Sequence, residues 1–138
     1  MWWIYALLAA FFAALTAIFA KIGVTGMNSD LATAIRTVII LILAWSIVYF
    51  RGAMEGISSL TKTNWIFLIL SGCATGLSWI FYFHALKVGK VSQVAPIDKG
   101  SILLTLLLSF IILKEPVTPR VLIAGACILA GMLILIVK

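Results

Sequence analysis

The sequence predicts an all-α membrane protein with five transmembrane helices, and three observations support this fold class. Of the 138 residues, 64% are hydrophobic and 10% are charged, whereas a soluble domain carries roughly 25% charged residues. The mean hydropathy is +1.26. Apolar runs of about 20 residues, the length that crosses a bilayer, recur along the chain. A chain in lipid must satisfy its backbone within each spanning segment, so a helical bundle follows.

The five predicted helices form a single membrane domain over residues 1–138. Their ranges are 2–20, 31–50, 64–86, 94–113 and 121–137. The first helix ends at Lys21. No basic residue precedes it and it exceeds the ~7–15 residues of a signal core, so we expect it to remain as a membrane span. The second helix lies between Asp30 and Arg51.

The three remaining helices are bounded by polar residues and prolines. The third follows the polar run of residues 61–63. The fourth carries Pro96 near its beginning, where proline suits a first turn and leaves the start of the helix irregular. Pro116 and Pro119 stop the fourth helix and start the fifth.

Basic residues are spread evenly over the two sides of the predicted bundle. The net charge is +6, but Lys and Arg lie at the ends of apolar runs, where they set topology and contact lipid headgroups, so we expect no nucleic-acid partner. Four basic residues flank the helices on the side of the N-terminus, and four on the opposite side. The first group is Arg51, Lys62, Lys114 and Arg120, and the second is Lys21, Lys87, Lys90 and Lys138. An even count is typical of a protein that inserts in both orientations and pairs head to tail. The alternative is one orientation fixed by the insertion machinery.

The residue types needed for enzyme chemistry are not grouped in this sequence. Cys73 and Cys127 lie inside apolar segments and are interpreted as small packing residues. There is no Cys/His cluster, phosphate-binding glycine loop or nucleophile arrangement. We therefore expect neither an enzyme nor a metal or cofactor site.

Arg36, Asp98 and Lys99 lie inside apolar stretches, where a charge costs about 2.5–3.5 kcal/mol on insertion scales. At 1.5 Å per residue, Arg36 lies about 7 Å and Asp98 about 6 Å from the same side of the bundle. The two are therefore candidates for a structural ion pair between the second and fourth helices. The alternative is direct participation in substrate or proton handling. Lys99 projects about 100° away from Asp98 and either reaches a cavity or snorkels to the surface.

His84, near the end of the third helix, falls in the same layer, with Trp79 and Tyr82 below it. The candidate substrate path or gate therefore comprises Arg36, Asp98, Lys99, His84, Tyr82 and Trp79. The three charges sum to one positive charge, which favours an anionic or zwitterionic solute over a cationic one. Membrane helices pack through small residues, so the predicted dimer contact is a small-residue face of the fifth helix: Gly125, Ala126, Ala130 and Gly131.

Several segments resemble one five-helix repeat of the EamA-type transporters, in the drug/metabolite transporter superfamily. These are residues 29–37, 83–89, 92–99 and 113–116. Common members of that family have ten spans in two inverted repeats, so the resemblance implies an antiparallel homodimer of this chain. The superfamily's small multidrug exporters use a carboxylate in the first helix. Residues 2–20 contain none, which argues against exchange of cationic drugs for protons by their mechanism.

Three functions fit this pattern. The leading hypothesis is a secondary transporter that moves a small organic metabolite or drug by alternating access, in the inner membrane of a prokaryote. A second is a flippase for a lipid-linked sugar or polyprenyl-phosphate lipid, whose headgroup would meet the positive layer. A third is a non-transporting membrane subunit. The expected partners are a second copy of the chain, membrane lipids and, for a transporter, a small-molecule solute.

Overall fold

The computed structural model describes residues 1–136, and every regular element in that range is helical. The helices are α1 (Trp2–Val24), α2 (Ser29–Phe50), a 3₁₀ helix η1 (Ala53–Ser59), α3 (Lys62–Val88), α4 (Val91–Asp98), α5 (Ser101–Ile112) and α6 (Pro119–Ile136). Five segments are long and apolar enough to cross a membrane, with α4 and α5 together forming the fourth. The prediction of an all-α protein with five spans is confirmed, and the pairing of inverted repeats stays a prediction.

The chain divides into two compact units, which are described separately. Unit 1 is Met1–Val88 and contains α1, α2, η1 and α3; unit 2 begins at Gly89 and contains α4, α5 and α6. The prediction of a single membrane domain stays a prediction.

Unit 1 is held together at one end by small and apolar side chains. Buried residues come from the second half of α1, the start of α2 and the end of α3: Ala17, Ala20, Val24, Ser29, Ala32, Thr33, Phe83 and Leu86. Small residues let helix backbones approach closely where no water drives association. Most large apolar side chains of α1–α3 are exposed, as expected of a surface that lipid covers.

Local chemistry explains where α1 ends and α2 begins. Helix α1 continues past Lys21 to Val24 and is followed by Gly26, whose φ of 80° suits glycine. The side chain of Asn28 then accepts hydrogen bonds from the backbone N–H groups of Asp30 and Leu31. This is an N-cap, and it lets α2 begin at Ser29, two residues before the predicted start.

Unit 2 contains a broken span. Helix α4 begins at Val91, three residues before the predicted start, and ends at Asp98; α5 begins at Ser101. Pro96 cannot donate an intrahelical hydrogen bond, which weakens the turn before the break. The break also brings Gly100 against the side chain of Met132 in α6. An irregular start was expected from Pro96. The two-residue interruption at Lys99 and Gly100, which backbone hydrogen bonds from Gly100 to Ile97 and from Ile102 to Lys99 bridge, was not.

The other predicted boundaries need small corrections. Helix α3 spans Lys62–Val88, two residues longer at each end than predicted, and α5 ends one residue early. Helix α6 begins at Pro119, two residues before the predicted start, and the predicted end at residue 137 lies outside the described residues. The 3₁₀ helix Ala53–Ser59 follows Gly52, which has a φ of 64°; it was not predicted.

Candidate functional site

The guanidinium of Arg36 lies against two aromatic rings of α3. Its carbon Cζ is 4.2 Å from the ring centroid of Trp79 and 5.4 Å from that of Phe83. Trp79 and Phe83 are four residues apart, so they share one face of α3. Such a cation–π contact contributes on the order of 1 kcal/mol at a partly exposed site. Arg36 is half-buried, and the rings fix the direction of its charged group.

A cavity of about 350 Å³ opens beside Arg36 within unit 1. Its wall is formed by α1, α2, the connection between them and one ring of α3, including Phe19, Met27, Ile35, Ile39 and Phe83. Arg36 is the single charged residue of this lining. The cavity has the size and mostly apolar character of small-molecule sites, with one polar group placed to orient a ligand.

The acidic residues of unit 1 do not neutralise Arg36. They are Asp30 and Glu55, and within the described part of unit 1 neither forms an ion pair with the guanidinium. A guanidinium carries five N–H donors, and the faces of aromatic rings supply only weak acceptors. Arg36 therefore presents hydrogen-bond donors and a positive charge to the cavity.

Lys21 ties α1 to the end of α3. Its Nζ donates a hydrogen bond of 2.5 Å to the backbone carbonyl of Leu86, one of the last carbonyls of α3, which lack partners within the helix. Leu86 is completely buried. A cation at a helix C-terminus is favourable, so Lys21 has a structural role that the sequence analysis did not assign.

Asp98 and Lys99 lie at the break in unit 2. Nζ of Lys99 is 3.6 Å from Oδ2 of Asp98, and Lys99 is the more exposed of the two side chains. The expectation that these side chains do not face each other was wrong, because the long side chain of Lys99 reaches the carboxylate of Asp98 although the backbone at Lys99 keeps right-handed helical angles. Arg36 belongs to unit 1 and Asp98 to unit 2. The ion pair between them stays a prediction.

The other predicted path residues of α3 differ in their surroundings. Trp79 contacts Arg36, and the ring of Tyr82 packs edge-on against Phe83 with centroids 6.4 Å apart. His84 is exposed. The sequence analysis missed Phe83, which is 3% exposed and contacts both the cavity and Arg36. Its spacing of four from Trp79 was the available signal.

The small residues of α6 fall on different surfaces. Gly125 is buried, and a Cβ there would contact Leu106 and Leu103 of α5 at 3.5 and 3.6 Å, so Gly125 packs inside its own unit. Ala126 lines the groove between α5 and α6. Ala130 and Gly131 are exposed. The dimer contact stays a prediction, for which the exposed pair offers the accessible surface.

Residues 1–136 contain no group of three or more His, Cys, Asp or Glu side chains that could hold a metal ion. The three charged residues that the sequence analysis singled out fall at two places, the cavity of unit 1 and the break of unit 2.

Comparisons with known proteins match nearly the whole chain. The sequence profile described as "EamA-like transporter family" matches residues 1–137. An "uncharacterized transporter in cobO 3'region" from a Sinorhizobium species is 47% identical over 136 residues, which are 99% of this chain and 96% of that protein. No solved structure matches.

Proposed function

The chain belongs to the EamA-like transporter family, and from this premise we propose that it is a secondary transporter that moves a small organic solute by alternating access. The five apolar helices make it an integral, multi-pass membrane protein. Its family and its transporter-named relative favour transport over enzyme chemistry. We place it in the inner membrane of a prokaryote, in keeping with the bacterial origin of that relative.

The observation that carries the proposal is the Arg36 cavity. A charge within a membrane span is costly and usually marks a substrate or ion pathway. Here the charge borders a space of about 350 Å³, and its guanidinium packs against the rings of Trp79 and Phe83. This arrangement supports a role in solute binding. The Asp98–Lys99 pair lies beside the break of the fourth span, where residues 99 and 100 fall outside the regular helices α4 and α5, and discontinuous spans line the binding sites of many transporters. This position suits a gate.

We propose an antiparallel homodimer as the transporting unit. Inverted repeats around a central site are a common architecture of secondary transporters, and this chain has five spans, an odd number that permits inverted pairing of two copies. The transporter-named relative is of nearly the same length, because the aligned 136 residues make up 96% of it. The even distribution of basic residues and the exposed Ala130 and Gly131 support the same arrangement.

Release from proteoliposomes tests the proposal. Vesicles loaded with a defined mixture of amino acids, monocarboxylates and organic amines are diluted, and the released components are measured by mass spectrometry. We expect at least one component to leave faster than from protein-free vesicles, and its release to slow in Arg36→Met and Asp98→Asn.

Arg51→Met is the matched control. Arg51 follows the opposite end of α2, is exposed, and its replacement removes the same charge. Release at the protein-free rate for every component would contradict the transporter proposal. Equal release by wild type and Arg36→Met would remove Arg36 from the solute path.

A further inference from the structure

We propose that the cavity of unit 1 binds a small amphipathic monoanion, whose carboxylate contacts Arg36 and whose apolar body lies against α1 and α2. This inference rests on the proposed transport function and narrows its solute from organic molecules in general to one charge class. It concerns unit 1 alone.

The first argument is the state of the Arg36 guanidinium. Two aromatic rings hold it at 4.2 and 5.4 Å, and neither Asp30 nor Glu55 pairs with it in the described part of unit 1. The planar fork of a guanidinium matches a carboxylate with two parallel hydrogen bonds. Because the rings already fix its orientation, little side-chain freedom is left to lose when an anion binds.

The second argument is the composition of the wall. Apart from Arg36, the lining is almost entirely apolar, with side chains such as Phe19, Met27, Ile35 and Ile39. Burying an apolar body there gains about 25 cal/mol for each Å² removed from water. A compact inorganic anion would leave this surface unused. The wall therefore favours an anion that carries a hydrophobic body.

The third argument separates a monoanion from a zwitterion. An amino acid would bring an ammonium group as well as a carboxylate, and a charged group buried without a partner is strongly unfavourable. The cavity lining contains no acidic residue. A solute with a single negative charge therefore fits this cavity better than a zwitterion of the same size.

The size of the cavity indicates a small solute. A volume of about 350 Å³ is near the lower end of the range for small-molecule sites. It accommodates a body of one ring or a short chain, whereas a phospholipid with two acyl chains needs more space. The inference therefore commits to a soluble amphiphile rather than to an anionic lipid.

A matched series of probes isolates the charge. Tritiated 4-phenylbutyrate is bound to the full chain in phosphatidylcholine nanodiscs and measured by scintillation proximity. Unlabelled 4-phenylbutyrate, 4-phenylbutanol, 4-phenylbutylamine and phenylalanine are the competitors. We expect only unlabelled 4-phenylbutyrate to displace the labelled probe. Equal competition by 4-phenylbutanol would overturn the role of Arg36, and equal competition by phenylalanine would overturn the preference for a monoanion.

Two pairs of variants locate the site. Arg36→Met should weaken 4-phenylbutyrate binding about tenfold or more, as loss of a charge-assisted hydrogen bond predicts, with Arg51→Met within about twofold of wild type. Gly23→Leu should also abolish binding. Gly23 lines the cavity and a Cβ there meets no atom within 4 Å, so a larger side chain at this position has room to extend into the cavity. Gly72→Leu is its control, since Gly72 has the same open surroundings outside the lining.

The outcomes are separable. If Arg36→Met does not fold, as judged by gel filtration, Gly23→Leu against Gly72→Leu decides the location, and unchanged binding in Gly23→Leu overturns it. Loss of 4-phenylbutyrate binding in phosphatidylglycerol nanodiscs would assign the cavity to a lipid and overturn the inference. Binding without release from proteoliposomes would support the site and contradict transport. Release of other solutes from proteoliposomes, without binding of 4-phenylbutyrate, would overturn the proposed binding site and leave the transport proposal standing.

Discussion

Gly100 stands at the break between α4 and α5, and replacing it with alanine tests the packing of unit 2. A Cβ at this position would overlap Cε of Met132 and lie 2.9 Å from the backbone carbonyl oxygen of Ile97. Met132 ends in a flexible side chain that can move aside. The Ile97 carbonyl belongs to the backbone of α4 and cannot move without shifting the helix.

The expected magnitude follows from two opposing effects. Gly100 has φ −58° and ψ −21°, a right-handed helical conformation that alanine also adopts. Alanine would by itself stabilise the fold by about 0.4–1 kcal/mol, through the lower entropy of the unfolded chain. Overpacking of this kind costs about 1–3 kcal/mol. We therefore expect Gly100→Ala to lower the free energy of unfolding by about 1–2 kcal/mol.

Unfolding by sodium dodecyl sulfate in mixed micelles measures this change. Gly131→Ala in α6 is the control, because a Cβ there meets no atom within 4 Å. The cost of Gly100→Ala should be smaller in a Met132→Ala background, where one of the two overlaps is gone, but should not vanish. A Gly100→Ala protein as stable as wild type, or one with the same cost in both backgrounds, would refute the packing described for the break.

Three further predictions concern unit 1 and the topology. Lys21→Met should lower the free energy of unfolding by about 0.6–2 kcal/mol, since it removes the hydrogen bond to the Leu86 carbonyl; an equal loss in Lys87→Met, at an exposed position on α3, would show that this bond contributes nothing. Asn28→Ala should lower the free energy of unfolding by about 1 kcal/mol in the same titration, because the N-cap of α2 is lost. Asn28→Asp should retain most of the wild-type stability, because aspartate also caps helices. Reporters fused to the C-terminus should be detected on both sides of the membrane, and detection on one side only would contradict simple antiparallel pairing.

The sequence predicted the number and centres of the membrane spans because hydrophobic length alone determines them. The sequence did not predict the exact ends of the helices, because specific hydrogen bonds determine where each helix begins and ends. Lys21 was taken as the end of the first helix because of its charge, but α1 continues to Val24 while the ammonium bonds to a carbonyl of α3. That partner is 65 residues away, so no local pattern indicates it.

The candidate site was predictable in part. The cost of a charge in lipid singled out Arg36, and Trp79 was named as a path residue, although below the layer of Arg36 rather than in contact with it. The contribution of Phe83 and the cavity wall from α1 depend on how three helices pack, which the sequence pattern does not specify. Pro96 marked the fourth span as irregular, but the break lies after Asp98, two residues further along the chain. The pairing of Asp98 with Lys99 depends on the side-chain conformation of Lys99, which the spacing of two residues along a helix does not specify.

Counterflow tests the central claim, that this chain carries a solute by alternating access through a path that includes Arg36. Proteoliposomes are loaded with a high concentration of the solute released fastest, and a trace of the same labelled solute is added outside. A carrier exchanges the two, so we predict a transient accumulation of label above equilibrium, which Arg51→Met retains and Arg36→Met reduces. Label that only rises to equilibrium, without an overshoot in wild type, would contradict alternating access.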